Sequence, residues 1–203
     1  MVALCFKEVI LAKIKVKVEK NKRIYIHNDL MNAAHHLKKN VLRVDAAKEP
    51  GITLHIMGAL AMLAFAFEAQ INFIGFKCVS NWKERDAFQK KSNKIFSALK
   101  MKPDFKTRPY SSINKLKEFR DFVAHGKPIE LTECYEEIVD QDEEEFELRT
   151  PIGHEGFCTL SNLIEVTEDL QIVWKELLSN ADIIHYDSIT TSSGGQTFIE
   201  HVE

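Results

Sequence analysis

The chain has 203 residues, of which 45% are hydrophobic and 28% are charged, and its formal net charge is −3. This length suits one well-buried domain with extensions and argues against two ordinary domains. The composition is that of a soluble globular protein, and the nearly balanced charge argues against a strongly basic nucleic-acid-binding chain.

The cysteines and the N-terminus indicate a reducing compartment. The four cysteines are far apart and include no Cys-x-x-Cys pair, which argues against a zinc site or a disulfide framework. The first residues lack the charged-then-apolar order of a signal peptide. We therefore expect a cytoplasmic protein, and we predict no metal ion and no cofactor.

Charge is distributed unevenly along the chain. Residues 83–127 contain thirteen Lys or Arg and five Asp or Glu, whereas residues 129–149 contain ten acidic residues and a single Arg149. The basic block could attract phosphate, and the acidic block would repel it. The alternative is that both blocks are solvated faces of ordinary elements.

The N-terminal part predicts an extension followed by a helix. Apolar residues alternate with lysines between Ile10 and Val18, which indicates a strand or an amphipathic arm. We assign residues 1–26 to this N-terminal extension. A helix then follows over about residues 28–48.

Residues 52–76 are the most apolar segment and predict the central, nearly all-round buried helix of a bundle. Polar residues interrupt this segment and make it a poor bilayer span, so we expect no membrane association. Glu68 and Asn72 lie one turn apart within it. A carboxylate among apolar neighbours is costly unless it is paired. Glu68 therefore pairs with Arg120 or a backbone amide, or it reaches solvent at the helix edge; pairing with Arg120 would fix the direction of the guanidinium.

A third helix, over about residues 82–100, and the loop after it are basic. Cations in and near these elements are candidates for binding a phosphate backbone. They are Lys90, Lys91, Lys94, Lys106, Arg108, Lys117 and Lys127.

The next helix, residues 111–125, has both of its ends marked in the sequence. Two serines can cap its start, and a glycine and a proline follow its end. Asp121 lies four residues before His125 and is therefore its neighbour on the helix surface. There the carboxylate can orient the imidazole and, together with the helix dipole, stabilise its protonated form. The long side chain of Arg120 can bring a guanidinium toward the same end.

The remaining elements complete the predicted fold. Residues 129–160 predict a small β-hairpin or an irregular acidic insertion, residues 162–179 a final helix, and residues 183–203 a flexible C-terminal tail. The sequence thus predicts an all-α fold, an antiparallel bundle of four to five helices over residues 27–182, with the hairpin or insertion before the last helix.

The segment from Arg120 to His125, followed by Gly126, resembles the signature of the HEPN superfamily. The setting of Glu68 and Asn72 in the apolar helix resembles the first core helix of the same domains. Members are small all-helical domains, and many are metal-independent ribonucleases that work as dimers. The residue after the arginine is often Asn in that family, whereas this chain has Asp121.

The resemblance implies a homodimeric endoribonuclease that cleaves single-stranded RNA without a metal ion. His125 would act as general base or acid, Arg120 would stabilise the charged phosphate, and Asp121 would orient His125. Glu68 and Asn72 would hold the side chain of Arg120 in position and would not take part in the reaction themselves. A toxin or defence role would add an antitoxin or another regulatory protein as partner.

Two alternatives remain open at this point. The chain could be a non-catalytic HEPN-like module that binds a protein or a nucleotide, because a fold resemblance by itself does not establish an activity. His125 could also be an ordinary exposed histidine whose charge complements the helix dipole.

Overall fold

The computed structural model describes residues 13–44, 51–126, 128–136 and 155–202, the last two of these residues without their side chains. It contains a helical unit, Tyr25–Ser188, and a second unit formed by residues up to Ile24 and from Ile189 onward. The described residues of the predicted site all belong to the helical unit.

Five α-helices and one 3₁₀ turn form the described part of the helical unit. The pattern of apolar residues predicted five helices in the same order. The predicted start at residue 52 and the predicted end at residue 125 match the structure, whereas the third helix begins at Phe88 and not near residue 82. The helices are α1 (Ile26–Val41), α2 (Ile52–Cys78), α3 (Phe88–Ala98), α4 (Tyr110–His125) and α5 (Leu160–Asn180), and the turn is His185–Ser188.

Helix α2 is the centre of the helical unit. It packs against α1, α3, α4 and α5, and its residues Leu60, Ile71 and Ile74 are fully buried. Helix α5 supplies Leu163 and Leu170 to the same core. Because burial of each large aliphatic side chain is worth about 1.5–3 kcal/mol, this core holds the helices that carry the candidate site.

By length and composition alone, α2 is also apolar enough to cross a membrane. Twelve of its 27 residues are buried within the described chain, and the core helix of a soluble protein passes the same test. Burial in the helical unit accounts for the apolar character of those residues, whereas Leu54, Phe65 and Phe76 of the same helix are exposed, so the prediction of nearly all-round burial is wrong.

The chain between α2 and α3 is held by Trp82, which packs directly onto Gly75 of α2. A Cβ atom at position 75 would lie 2.3 Å from the Cε2 atom of Trp82, closer than side chains can approach. Only glycine therefore fits beneath this ring.

Helix α4 ends as the sequence predicts but begins differently. Gly126 follows the helix with φ of 41°, in the left-handed region, and its N–H donates to the carbonyl of Phe122. The predicted serine cap is wrong, because α4 begins at Tyr110 without any side-chain cap. Ser112 lies inside the helix, where its hydroxyl is 2.5 Å from a carboxylate oxygen of Asp169.

The prediction of an all-α fold is wrong, because the second unit is a pair of antiparallel strands. Strand β1 (Lys13–Arg23) pairs with β2 (Thr191–Val202), with a register shift between Lys15 and Val16. The described part of the alternating N-terminal segment, residues 13–18, is thus in a strand. Its partner lies in the segment that was predicted to be a flexible tail, and pairing between residues so distant in sequence has no local signature.

The hairpin or insertion predicted for residues 129–160 falls mostly outside the described residues. Residues 128–136 are described and contain neither helix nor strand, whereas residues 137–154 lie outside the description. The two strands of the described chain lie near its ends and not directly before α5.

Candidate functional site

Arg120 extends from α4 toward α2. Its Nη2 atom donates a hydrogen bond to Glu68, and its Nη1 atom donates to Oδ1 of Asp121 at 2.8 Å. The side chain of Arg120 remains 28% exposed, so two carboxylates hold the guanidinium without enclosing it. Glu68 was expected to pair with Arg120 or a backbone amide, or to reach solvent; in the structure it pairs with Arg120.

Glu68 has a second cationic partner, Lys91 of α3. The ammonium of Lys91 donates to Oε1 of Glu68 at 2.8 Å, to Oδ1 of Asn72 at 3.1 Å and to the carbonyl of Glu84 at 3.2 Å. The side chain of Lys91 is only 1% exposed. Three helices therefore meet at one carboxylate, and we call Glu68, Asn72, Lys91, Lys117, Arg120 and Asp121 the Glu68 cluster.

The charges of this cluster stabilise one another. Burial raises the pKa of Glu68, but hydrogen bonds from Lys91 and Arg120 outweigh burial and leave this pKa below its ordinary value. Burial likewise raises the pKa of Asp121, and the hydrogen bond from Lys117 together with the charge of Arg120 lowers it by more. The hydrogen bond to Glu68 raises the pKa of Arg120. All three shifts favour the ionised forms of Glu68, Asp121 and Arg120.

A small cavity lies beside the Glu68–Arg120 pair, among apolar side chains of α2, α3 and α4. Its volume is about 20 Å³, which is room for about one water molecule. A nucleotide does not fit, so a substrate at this place would have to bind on the outer surface or between two copies of the chain.

His125 is the last residue of α4, and its side chain is exposed. Within the part of the chain that is described, it has no hydrogen-bond or ion-pair partner. Asp121 makes no hydrogen bond or ion pair with it; the two carboxylate oxygens accept from Lys117 at 2.6 Å and from Arg120 at 2.8 Å. Permanent cations on both sides of Asp121 offer charge-assisted hydrogen bonds, which are stronger than a bond to a neutral ring.

The helix itself separates Arg120 from His125. Five residues along an α-helix correspond to a rise of about 7.5 Å and a rotation of about 140°. The guanidinium is directed toward α2, whereas the imidazole is directed to solvent. One copy of α4 therefore presents the two groups on different sides.

Most of the predicted phosphate-binding cations form ion pairs within the helical unit. Asp86 holds Lys90 at 3.1 Å and Lys94 at 2.6 Å, and Lys91 is buried beneath the surface. Arg108 binds Asp169 through Nε and Nη2, at 2.9 and 3.0 Å. Lys117 pairs with Asp121. Lys106 is exposed, and its side chain has no carboxylate partner within the described chain. Lys127 lies outside the described residues.

The chain matches no protein-family model, no curated protein and no solved structure. Within the described residues, no group of three or more His, Cys, Asp or Glu side chains is placed to hold a metal ion.

Sequence reasoning missed a second buried carboxylate, Asp169 of α5. It is 2% exposed and accepts hydrogen bonds from both Arg108 and Ser112. A signal was present, because Asp169 follows Val166 by three residues and precedes Val173 by four, which places it on the apolar face of its helix. Lys91 carries the same signal, since it follows Phe88 by three residues and precedes Ile95 by four.

Proposed function

We propose that the chain is a metal-independent endoribonuclease of the HEPN type that cleaves single-stranded RNA as a homodimer. One observation carries this proposal: an exposed imidazole, His125, lies on the same helix as a partly exposed guanidinium, Arg120, whose direction is set by Glu68. The spacing of the two residues is the one that resembles the HEPN signature.

The proposed reaction uses the 2′-hydroxyl of the RNA as nucleophile. A neutral His125 takes the proton from this hydroxyl as its oxygen attacks the adjacent phosphorus. The bond from phosphorus to the 5′-oxygen breaks, and a protonated imidazole gives its proton to that oxygen. The products are a 2′,3′-cyclic phosphate and a free 5′-hydroxyl. Arg120 stabilises the negative charge that grows on the phosphate in the transition state.

The need for two subunits follows from this chemistry. A base and an acid are required, and each chain supplies one His125 at the end of α4. The side chains of Arg120 and His125 diverge by about 140° on one helix, so a two-fold arrangement of two α4 ends would bring a guanidinium from one copy toward an imidazole of the other. Two-fold dimers are the commonest closed assembly of identical chains.

Cleavage of a labelled single-stranded RNA in EDTA tests the proposal. We expect wild-type protein to release fragments with 2′,3′-cyclic phosphate ends and to spare the same sequence as DNA, which has no 2′-hydroxyl. Arg120→Ala and His125→Ala should each reduce the rate at least ~100-fold, the lower range for losing a general acid or base.

The matched controls are Arg85→Ala and His36→Ala, since both of these residues are exposed and lie outside the Glu68 cluster. Both controls should retain full activity, and circular dichroism should show all four variants folded. Equal cleavage by wild type and His125→Ala would exclude this function. Growth arrest on expression that His125→Ala relieves would indicate a toxin or defence role.

One observation favours a second candidate, a non-catalytic HEPN-like module. Two carboxylates already neutralise Arg120, and Asp121 does not orient His125. In this case the Glu68 cluster serves only to join three helices, and a protein or nucleotide partner binds elsewhere. Arg120→Ala would then lower the melting temperature while neither wild type nor any variant cleaves RNA.

A further inference from the structure

The strand pair carries a dense positive charge outside the Glu68 cluster. Strand β1 contains six Lys or Arg residues and one acid, Glu19, and the described side chains of β2 add only Glu200. Almost every residue of β1 is exposed. This charge was not among the candidates for binding phosphate.

The register sorts the side chains of the strand pair onto two faces. Alternate residues of a strand point to the same side, so Lys13, Lys15, Lys17 and Arg23 share one face. Two acids lie on the same face: Glu19 of β1, and Glu200, which is opposite Lys15 in β2. The polar residues opposite them in β2 share that face as well: Thr197 is opposite Lys17, Ser193 is opposite Asn21 and Thr191 is opposite Arg23. The other face begins with three apolar residues, Ile14, Val16 and Val18, and ends with Lys20 and Lys22. We call the face that carries Lys13, Lys15, Lys17 and Arg23 the cationic face.

The cations of the strand pair are available to a ligand. Lys15 pairs with Glu200 and Lys17 with Glu19, but all four of these side chains are more than half exposed, and such surface pairs are worth only ~0–1 kcal/mol. Lys13 and Arg23 have no carboxylate partner among the described residues. By contrast, Arg108 in the helical unit is bound bidentately to the buried Asp169.

We propose that the cationic face binds the phosphate backbone of single-stranded RNA. Charge complementarity supports this occupant, because four of the six cations of β1 lie on this face. Three of them, Lys13, Lys15 and Lys17, follow one another at alternate positions of an extended strand and can line up along a linear polyanion. Hydroxyl and amide groups such as those of Thr191, Ser193 and Asn21 are ordinary donors to phosphate oxygens. The choice of RNA as the polyanion rests on the proposed ribonuclease function.

The arrangement favours RNA over an anionic lipid surface. A strand pair lying on a bilayer would bury its apolar side chains, Ile14, Val16 and Val18, at the boundary of the acyl chains. Lys20 and Lys22 of the same face would then reach the lipid headgroups, but the other four cations of β1 would point away from them. A polyanion bound to the cationic face requires no such compromise.

Binding of a 20-nucleotide single-stranded RNA of mixed sequence tests this inference. Full-length protein carrying His125→Ala is used so that RNA is not cleaved, and fluorescence anisotropy is followed over a series of KCl concentrations. The test variant adds Lys15→Gln, Lys17→Gln and Arg23→Gln. The control adds Lys39→Gln, Arg43→Gln and Lys175→Gln, which removes the same charge from exposed positions of the helical unit.

We expect the test variant to bind at least tenfold more weakly at 0.1 M KCl, whereas the control is nearly unchanged. Each lost phosphate contact lowers the slope of log K against log salt by about 0.7 for a single strand, so three contacts lower it by about 2. Lys15→Arg with Lys17→Arg keeps the charge and should bind as well as the parent. Circular dichroism and melting temperature are compared so that only folded variants are interpreted.

Three outcomes would overturn the inference. The first is that the test variant binds RNA as tightly as the parent, and the second is that the control loses as much RNA affinity as the test variant. The third comes from a parallel assay of cosedimentation with vesicles containing 30 mol% anionic lipid: the test variant loses vesicle binding but keeps its affinity for RNA. A failure of the ribonuclease proposal looks different, because wild-type protein would then bind this RNA through the cationic face without cleaving it.

Discussion

The ammonium of Lys91 lies 2.8 Å from Oε1 of Glu68, and the side chain that carries it is 1% exposed. Glu68 in turn accepts a hydrogen bond from Arg120. The position of α3 therefore controls the carboxylate that directs Arg120. Because an unpaired buried ammonium is far less stable than a paired one, Lys91 and Glu68 depend on each other, and the site depends on both.

Replacing Lys91 should destabilise the helical unit. Lys91→Ala removes the buried partner of Glu68 and Asn72 and leaves a cavity, so we expect the free energy of unfolding to fall by about 3 kcal/mol. Lys90→Ala is the control, because the neighbouring lysine is exposed, and its change should stay within about 0.5 kcal/mol. Urea unfolding followed by circular dichroism measures both. If both variants changed the free energy of unfolding by the same small amount, Lys91 would not be a buried partner of Glu68 and Asn72.

Acid should weaken the same cluster through Glu68. The pKa of Glu68 is lower in the folded chain than its ordinary value, which is about 4.3 in an unfolded chain. Its ionised form therefore stabilises the fold above about pH 4.3, and this contribution is lost as the pH falls through the lower folded value. The difference in unfolding free energy between wild type and Glu68→Gln should narrow from pH 6 to pH 3. A difference that stays constant or widens would contradict the assignment.

Two glycines of α2 should respond to alanine in opposite directions. Gly75→Ala places a Cβ against the ring of Trp82, at 2.3 Å, and should lower the unfolding free energy by about 1–3 kcal/mol. At Gly58 the nearest atom would lie 3.7 Å away, on Leu37. Gly58→Ala should therefore keep or raise stability, by up to ~1 kcal/mol from helix propensity. Thermal unfolding ranks the two variants, and the reverse order would show that Trp82 does not cover Gly75.

Asp169 should be more important for stability than its exposed neighbour. Asp169→Ala deprives Arg108 of its bidentate acceptor and leaves the fully buried hydroxyl of Ser112 without its acceptor, which we expect to cost about 2 kcal/mol. Glu168→Ala removes a side chain that is 62% exposed and should change stability by less than about 0.5 kcal/mol. Chemical unfolding measures the free energy of unfolding of both variants. Similar decreases for Asp169→Ala and Glu168→Ala would mean that the buried hydrogen bonds of Asp169 do not stabilise the fold.

Several features of the site could be predicted because they depend on local patterns. The spacing of apolar residues located α4, and Gly126 marked its end through a backbone conformation that glycine adopts easily. Glu68 stood out because an acid in an apolar helix requires a partner, and Arg120 was one of the partners considered. The prediction that Lys91 binds a phosphate backbone required an exposed lysine, whereas its spacing from Phe88 and Ile95 indicates the apolar face of α3.

The sequence by itself determined four to five helices, the end of α4 and the presence of an acid, Glu68, among apolar residues, since these follow from spacing, backbone preference and residue type. Only the tertiary structure decided the partners: Lys91 with Glu68, Arg108 with Asp169, and β1 with β2. Such pairs join residues distant in the chain, and several carboxylates or extended segments would have satisfied the same local pattern. Packing of the helices selects among them, and that selection involves the whole core at once.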